Sequence, residues 1–326
     1  MSQVTQETAH GRPTLALVMW GDLFEDFHDT IGVSLEDFRT TLSGGWLFGY
    51  TEALASAGVR TALVTVSARV DEVTRFTHEP SRTQVVVLPA PRRHRWLRSL
   101  VSRLPRRKAF SSTLSYLSIP VFALRRTVRT EGARALLTQE YEHARFDVLV
   151  LLGALWRLPV FATFQGGDKP ASKLERPLRP FAVRRSAGLI IGSSRERARV
   201  EAVYGVPAAR IAPIPNALDV RSHHLMDRSI ARERLGIDPR DRVVEWHGRV
   251  TVRRKGLDVL CDAWDIVCRD RDHVLLLLVG TGPDADQFRS LLDALPAGTV
   301  RWRDEYVADR DELLPYPSAA DVYVLP

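Results

Sequence analysis

Arg249 and Lys255 lie in one short stretch, Arg242–Leu260 (RVVEWHGRVTVRRKGLDVL), each beside a glycine, Gly248 and Gly256. A strand-like run ends at the first pair, and an amphipathic helix opens at the second. Backbone N–H groups at a helix start, with fixed cations nearby, favour an anion and above all a phosphate. A glycine has no Cβ to keep a ligand off the backbone. On residue types alone, the alternative is a surface loop whose basic side chains are merely solvated. His247, next to the Gly-Arg pair, would either reach a ligand there or pack.

Two further polar clusters follow apolar runs. Gln139-Glu140-Tyr141-Glu142 comes after Ala133–Thr138, and Gln165-Gly166-Gly167-Asp168 comes after Pro159–Phe164. In an open α/β sheet, ligands bind outside the carboxyl ends of the strands. Both clusters therefore fall on the edge where chemistry takes place, with loop solvation or capping as the alternative for Glu140 and Asp168.

The elements that must position these groups alternate between strand and helix. Thr14–Trp20 is apolar almost without a break, as a strand buried on both faces requires. An acidic loop (Asp22, Glu25, Asp26, Asp29) leads to Ser43-Gly44-Gly45, a helix over 46–57 closed by Gly58, and a strand over 59–66. This is a βαβ unit, hence a parallel sheet. Strands are predicted at 84–88, 133–138, 159–164, 189–191 and 211–214, and a buried helix at 146–156. Ser193 and Glu196 form a capping box for the helix that ends near Gly205. In the second half, strands are predicted at 243–247, 274–279, 299–302 and 321–325, and helices at 256–268, 284–294 and 309–319. Gly280-Thr281-Gly282 makes a glycine turn after the second of these strands. It is not the dinucleotide fingerprint, because the full glycine spacing and the later acid are missing.

The 326 residues suggest two domains. The net charge of +7 is unevenly placed: residues 1–220 hold 30 Lys/Arg against 20 Asp/Glu, whereas 221–326 hold 16 against 19. The sign change places the boundary near 217–225, giving domains 1–218 and 219–326. Positions 80–130 carry twelve basic residues and no acid. Within them, Trp96, Leu97, Leu100, Val101 and Leu104 form one helical stripe, with Arg92, Arg93, Arg95, Arg98 and Arg103 on the remaining surface. A basic amphipathic helix with a tryptophan suits an anionic membrane surface, here through residues 91–110. The alternative is a helix packed by its stripe, with its arginines in water. Nucleic acid is disfavoured, since no stacking aromatics beyond Trp96 are interleaved with the charges. Cys261 and Cys268 have neither metal-type nor disulfide spacing. No apolar run is long enough to span a membrane and the start has no apolar signal core, so a cytoplasmic protein is expected, peripheral on the membrane's inner face.

Several pieces then occur in one order: Gly44-Gly45, Ile-Pro-Asn-Ala-Leu-Asp at 214–219, Gly248-Arg249, Lys255-Gly256, Val-Gly-Thr-Gly-Pro at 279–283, and Ala-Asp-Val-Tyr-Val-Leu-Pro at 320–326. Together they resemble the retaining glycosyltransferases of family 4. The resemblance implies the GT-B fold, α/β with two facing Rossmann-like domains and parallel sheets, the first on the acceptor side and the second binding a nucleotide-sugar. It implies that Arg249 and Lys255 contact the donor diphosphate, with Gly44, Gly45, Gly248 and Gly256 close to it. Gly280 and Gly282 would line the nucleotide side, and Val307 would stand at the base. The donor expected is a UDP- or GDP-sugar, the acceptor a carbohydrate or lipid-linked molecule, with no cofactor and no metal. Asp284 and Asp286 are explained by helix capping.

Two departures bear on mechanism. Where many members carry an acceptor-facing histidine, this chain reads Thr163-Phe164-Gln165-Gly166, and glutamine cannot relay a proton. Any acid or base role then moves to Glu140 or disappears, with Gln165, Gly166 and Asp168 left as acceptor-side contacts. The family's paired glutamates are expected soon after the last strand, yet the sequence stops at Pro326. The resemblance therefore implies a C-terminally truncated member with an incomplete second domain. A non-catalytic remnant that binds nucleotide or membrane is the main alternative. A nucleic-acid binder and a nucleotide-sugar epimerase are lesser ones.

Overall fold

A computed structural model describes residues 11–26, 28–42, 45–102, 114–166, 174–217 and 224–326. Gly44, Gly167, Asp168 and the basic positions 103–110 lie outside them. The chain divides into two compact units, one comprising 1–26 and 44–218, the other 27–43 and 219–326. Residues 27–43, which the charge-based boundary leaves in the first domain, group with the second unit.

The first unit contains β1 (Thr14–Asp22), α1 (Leu23–Asp26), α3 (Gly45–Ser56), β2 (Arg60–Ser67), β3 (Thr74–Thr77), β4 (Gln84–Pro89), α4 (Arg92–Ser102), α5 (Val121–Thr130), β5 (Ala133–Thr138), α6 (Ala144–Trp156), β6 (Val160–Thr163), α7 (Glu175–Arg185), β7 (Gly188–Ile190), α8 (Ser194–Tyr204) and β8 (Ile211–Ala212). The short helix α2 (Leu35–Thr40) belongs to the second unit. The eight strands form one sheet in the order β3-β4-β2-β1-β5-β6-β7-β8. All neighbours are parallel except β3, which pairs antiparallel with β4. The continuous apolar run of β1 follows from its place between β2 and β5, where Ala16 and Leu17 are fully buried.

The second unit adds α9 (Arg228–Leu235), β9 (Arg242–His247), α10 (Leu257–Asp270), β10 (Val274–Val279), α11 (Ala285–Leu292), β11 (Val300–Arg303), α12 (Arg310–Leu313), α13 (Pro315–Ala319) and β12 (Val322–Tyr323). Its four strands are parallel in the order β11-β10-β9-β12. Trp246, Val250, Leu257, Trp264, Leu276 and Phe288 fill one side of the sheet. Ala231, Ile237, Val243, Leu275 and Leu277 fill the other.

Three sequence readings need correction. The stretch expected as an acidic loop is largely helical: Ser34 and Asp37 make a complete capping box for α2, a signal weakened in the sequence by an aspartate in place of the usual glutamate. The helix expected over 309–319 is two short helices, with Pro315 starting the second. The Ser193–Glu196 box is only half formed. Ser193 accepts from the Glu196 N–H, but the Glu196 carboxylate turns to Tyr141 and Arg199.

Candidate functional site

In the second unit, β9 and β10 end side by side, and their following loops are knitted together. The Gly248 N–H donates to Val279 O at 3.0 Å, and the Val250 N–H to Thr281 O at 2.9 Å. Asp284 accepts from the Val252 N–H at 2.9 Å, and this contact, with no side-chain cap on α11, is its role. That corrects the capping explanation for Asp284. The loops are fused because their backbones touch: a Cβ on Gly280, whose φ is +128°, would lie 1.9 Å from Gly248 O. A Cβ on Gly282 would lie 2.3 Å from Val250 O. The glycine turn therefore exists first to let two loops meet.

Between these loops and the segment after β11 lies a cleft of about 180 Å³, walled by residues of the second unit alone. His247, Gly248, Arg249, Gly280, Tyr306 and Val307 are among its lining residues. Four residues singled out in the sequence for a donor thus meet at one place: Gly248, Arg249, Gly280 and Val307. Gly282, Lys255 and Gly256 are not on its walls. Lys255 is exposed, its N–H donating to Thr251 O at 2.9 Å. Gly256 is the N-cap of α10 in left-handed conformation, with φ +62°. Arg249 is half-buried, and its guanidinium is held below its ordinary value by burial and then by the neighbouring Arg254, with Asp284 opposing. It stays charged at any physiological pH. A charge in a partly dry recess acts more strongly on an anion than one in open water.

His247 is a residue that sequence reasoning left open. Its Nδ1 lies 2.8 Å from Oε1 of Glu245, whose side chain is fully buried. The Tyr323 ring packs against the imidazole at 5.1 Å between centroids.

The first unit's polar groups gather at the carboxyl ends of β1, β5 and β6. Glu140 has a left-handed backbone, φ +64°, and its carboxylate lies 3.5 Å from His143 Nε2. Gln165 Nε2 donates to Thr163 Oγ1 at 3.1 Å, and Gly166 has φ +97° with open space where a side chain would stand. These two acceptor-side candidates and Glu140 are therefore neighbours in the fold, since Thr163 Oγ1 also accepts from the Glu140 N–H at 3.4 Å. Gly45 starts α3. Sequence reasoning placed Gln139 in the polar cluster after β5 but gave it no role; it is fully buried with neither amide atom hydrogen-bonded among the described residues. Glu142, in the same cluster, likewise received no role; burial, and then the charge of Glu196, pushes its carboxyl up to about 7.

The basic helix α4 departs from the reading in which its apolar stripe packs and its arginines lie in water. Its polar side packs inward: His94 Nε2 and Arg98 Nη1 lie 3.3 and 3.2 Å from Oδ2 of buried Asp22, while Arg145 holds Oδ1. Burial alone would raise the Asp22 carboxyl, but the His94 hydrogen bond and the charge of Arg145 hold it below its ordinary value. Trp96 and Leu100 are left 66% and 48% exposed. Among the described residues, no helix is long and apolar enough to cross a membrane.

Residues 48–217 match the family described as glycosyl transferase 4-like domain, and residues 241–326 match the glycosyl transferases group 1 family. A segment of 117 residues, 36% of the chain, is 29% identical to the D-inositol 3-phosphate glycosyltransferase of Rhodococcus jostii (strain RHA1). That segment spans 26% of the relative's own length. Among solved structures, Anabaena Alr3699/HepE in complex with UDP and glucose aligns with a TM-score of 0.62 at 14% identity, over 95% of this chain and 73% of the other. An E. coli structure bound with UDP-2-fluoro glucose aligns with a TM-score of 0.62 at 11% identity, over 95% and 78%. At these identities the likeness establishes the fold, which is α/β, Rossmann-like and of the GT-B kind.

Proposed function

The chain belongs to the glycosyl transferase 4-like family, and from that premise we propose that it serves transfer of a sugar from a nucleotide-diphosphate sugar to an acceptor, with retention at the anomeric carbon. The observation that carries this reading is the cleft at the carboxyl ends of β9 and β10, where Arg249 and Gly248 face Gly280 and Val307. Ligands of open α/β sheets bind at this edge, and the strand order β11-β10-β9-β12 changes direction beside β9. The donor diphosphate lies against Arg249 and the base toward Val307. As the glycosidic bond breaks, negative charge grows on the leaving diphosphate. A guanidinium already fixed in a recess stabilises that charge with little reorganisation. Lys255, exposed in the described structure, reaches the same phosphates when donor is present.

The acceptor is handled by the first unit, at the edge where Glu140, Gln165 and Gly166 are neighbours. Glu140 is the group there suited to take the acceptor's proton, since Gln165 has none to exchange. A UDP- or GDP-sugar is the donor. The acceptor is a carbohydrate or a lipid-linked molecule presented at an anionic membrane, a choice supported by the outward Trp96 and Leu100 on an arginine-bearing helix. The test is a panel of UDP-, GDP- and ADP-sugars titrated against the chain, followed by NMR of the anomeric proton in any product. Binding of one nucleotide class and an unchanged anomeric configuration are expected. Binding of none, or an inverted product, would overturn the reading.

A further inference from the structure

Glu245 and His247 sit on β9 two residues apart, so their side chains leave the strand on the same side. Glu245 is fully buried, and its Oε2 has no hydrogen-bond partner among the described residues. Its Oε1 faces His247 Nδ1 at 2.8 Å. A buried carboxylate is costly unless it is paired, and the pairing found here is with a ring that lines the cleft beside Arg249. A carboxylate on Nδ1 holds a proton at that nitrogen and orients the ring. Tyr323 packs against the ring, and its hydroxyl, pushed up by burial and then by Glu245, stays neutral. Nε2 is then the ring nitrogen left to meet a ligand.

We propose that His247 is a phosphate-binding residue of the donor cleft beside Arg249, and that Glu245 is the positioning residue behind it. The inference rests on the donor reading above and deepens it: the group His247 recognises is the diphosphate, while the base lies toward Val307. Between the Glu245 carboxylate and the bound phosphate the ring donates from both nitrogens, Nδ1–H to Glu245 and Nε2–H to a phosphate oxygen. On this arrangement the anion is gripped from two sides of Gly248, by Arg249 after it and His247 before it. Neither residue contributes to holding a bare nucleoside.

The experiment is calorimetric titration of the chain with UDP and uridine, and with GDP and guanosine, for wild type, His247→Phe, Glu245→Gln and the double variant. Phenylalanine keeps a ring against Tyr323 but removes both nitrogens. The double variant leaves no buried carboxylate unpaired, so it remains informative if His247→Phe fails to fold. In the double variant, and in His247→Phe where folded, diphosphate affinity is expected to fall roughly ten- to hundredfold, the loss of one charge-assisted hydrogen bond. Nucleoside affinity should be unchanged. Glu245→Gln should lower the diphosphate-to-nucleoside ratio in the same direction by a smaller factor. An unchanged ratio in the folded double variant overturns the inference while leaving the donor reading in place. No diphosphate binding by wild type overturns both.

Discussion

Gly280 and Gly248 stand so close that a methyl group on Gly280 would lie 1.9 Å from the Gly248 carbonyl oxygen. Gly280 O also accepts from the Trp302 indole at 2.9 Å, so the turn is held on both sides. Gly280→Ala is therefore expected to destabilise the second unit by about 3 kcal/mol, through overpacking and a backbone conformation unsuited to alanine. Chemical denaturation followed by tryptophan fluorescence reads this directly, since Trp246 and Trp264 are buried in that unit. Wild-type stability in the variant would show that the loops separate without cost.

Asp22 joins β1 to two other elements, α4 through His94 and Arg98 and α6 through Arg145. Asp22→Asn leaves Arg145 buried without its counter-charge, and a loss of about 3 kcal/mol is expected. Because the folded-state carboxyl is held below its ordinary value of 3.8, its contribution is present above that pH and fades as pH falls through the folded value. The acid limb of the wild-type stability profile should therefore be steeper than that of the variant, as measured by thermal melts across acidic pH.

Glu142 behaves in the opposite sense. Its carboxyl is raised from 4.5 to about 7, so the folded chain binds the proton more tightly than the unfolded chain does. Stability contributed by this group is present below pH 4.5 and is lost as pH rises toward 7. Glu142→Gln, neutral throughout, should flatten the profile over that interval and make the chain more stable than wild type at pH 8. Parallel profiles for the two proteins would contradict the assignment.

Trp96 and Leu100 are exposed on α4 while its histidine faces the interior. Replacing both with serine should change stability by no more than about 0.5 kcal/mol. Binding to vesicles containing phosphatidylglycerol should fall roughly tenfold, from lost burial of apolar surface in the interface. Sedimentation with anionic and with zwitterionic vesicles measures both terms. Equal binding of the variant would remove the membrane contact.

Much of this arrangement was legible in the sequence, because period and punctuation report local structure. The unbroken apolar run of β1, the αL glycines at Gly58 and Gly205, and the Gly-Arg loop after β9 all lie where their residues predict. What the sequence concealed depends on contacts between distant residues. The helix read over 146–156 starts two residues earlier and buries Arg145 and Asp147, which is explicable only once Asp22 and Arg179 are brought beside them. Gly280 does line the cleft, but the sequence does not show that it and Gly282 must be glycine because Gly248 and Val250 approach them so closely. The stripe on α4 left its packing open, and only the approach of buried Asp22 shows why His94 and Arg98 face inward while Trp96 stays exposed. Glu142 was placed in a polar cluster by its position after β5, but its titration was not legible, since it is set by burial and by Glu196.

The most direct measurement is UDP and GDP affinity of wild type against Arg249→Ala, by calorimetry at low and moderate salt. Removing a half-buried cation from a diphosphate site should weaken binding roughly hundredfold, with the wild-type affinity falling as salt is added. Equal affinity of the two proteins for the nucleotide that wild type binds would contradict the placement of the diphosphate at Arg249.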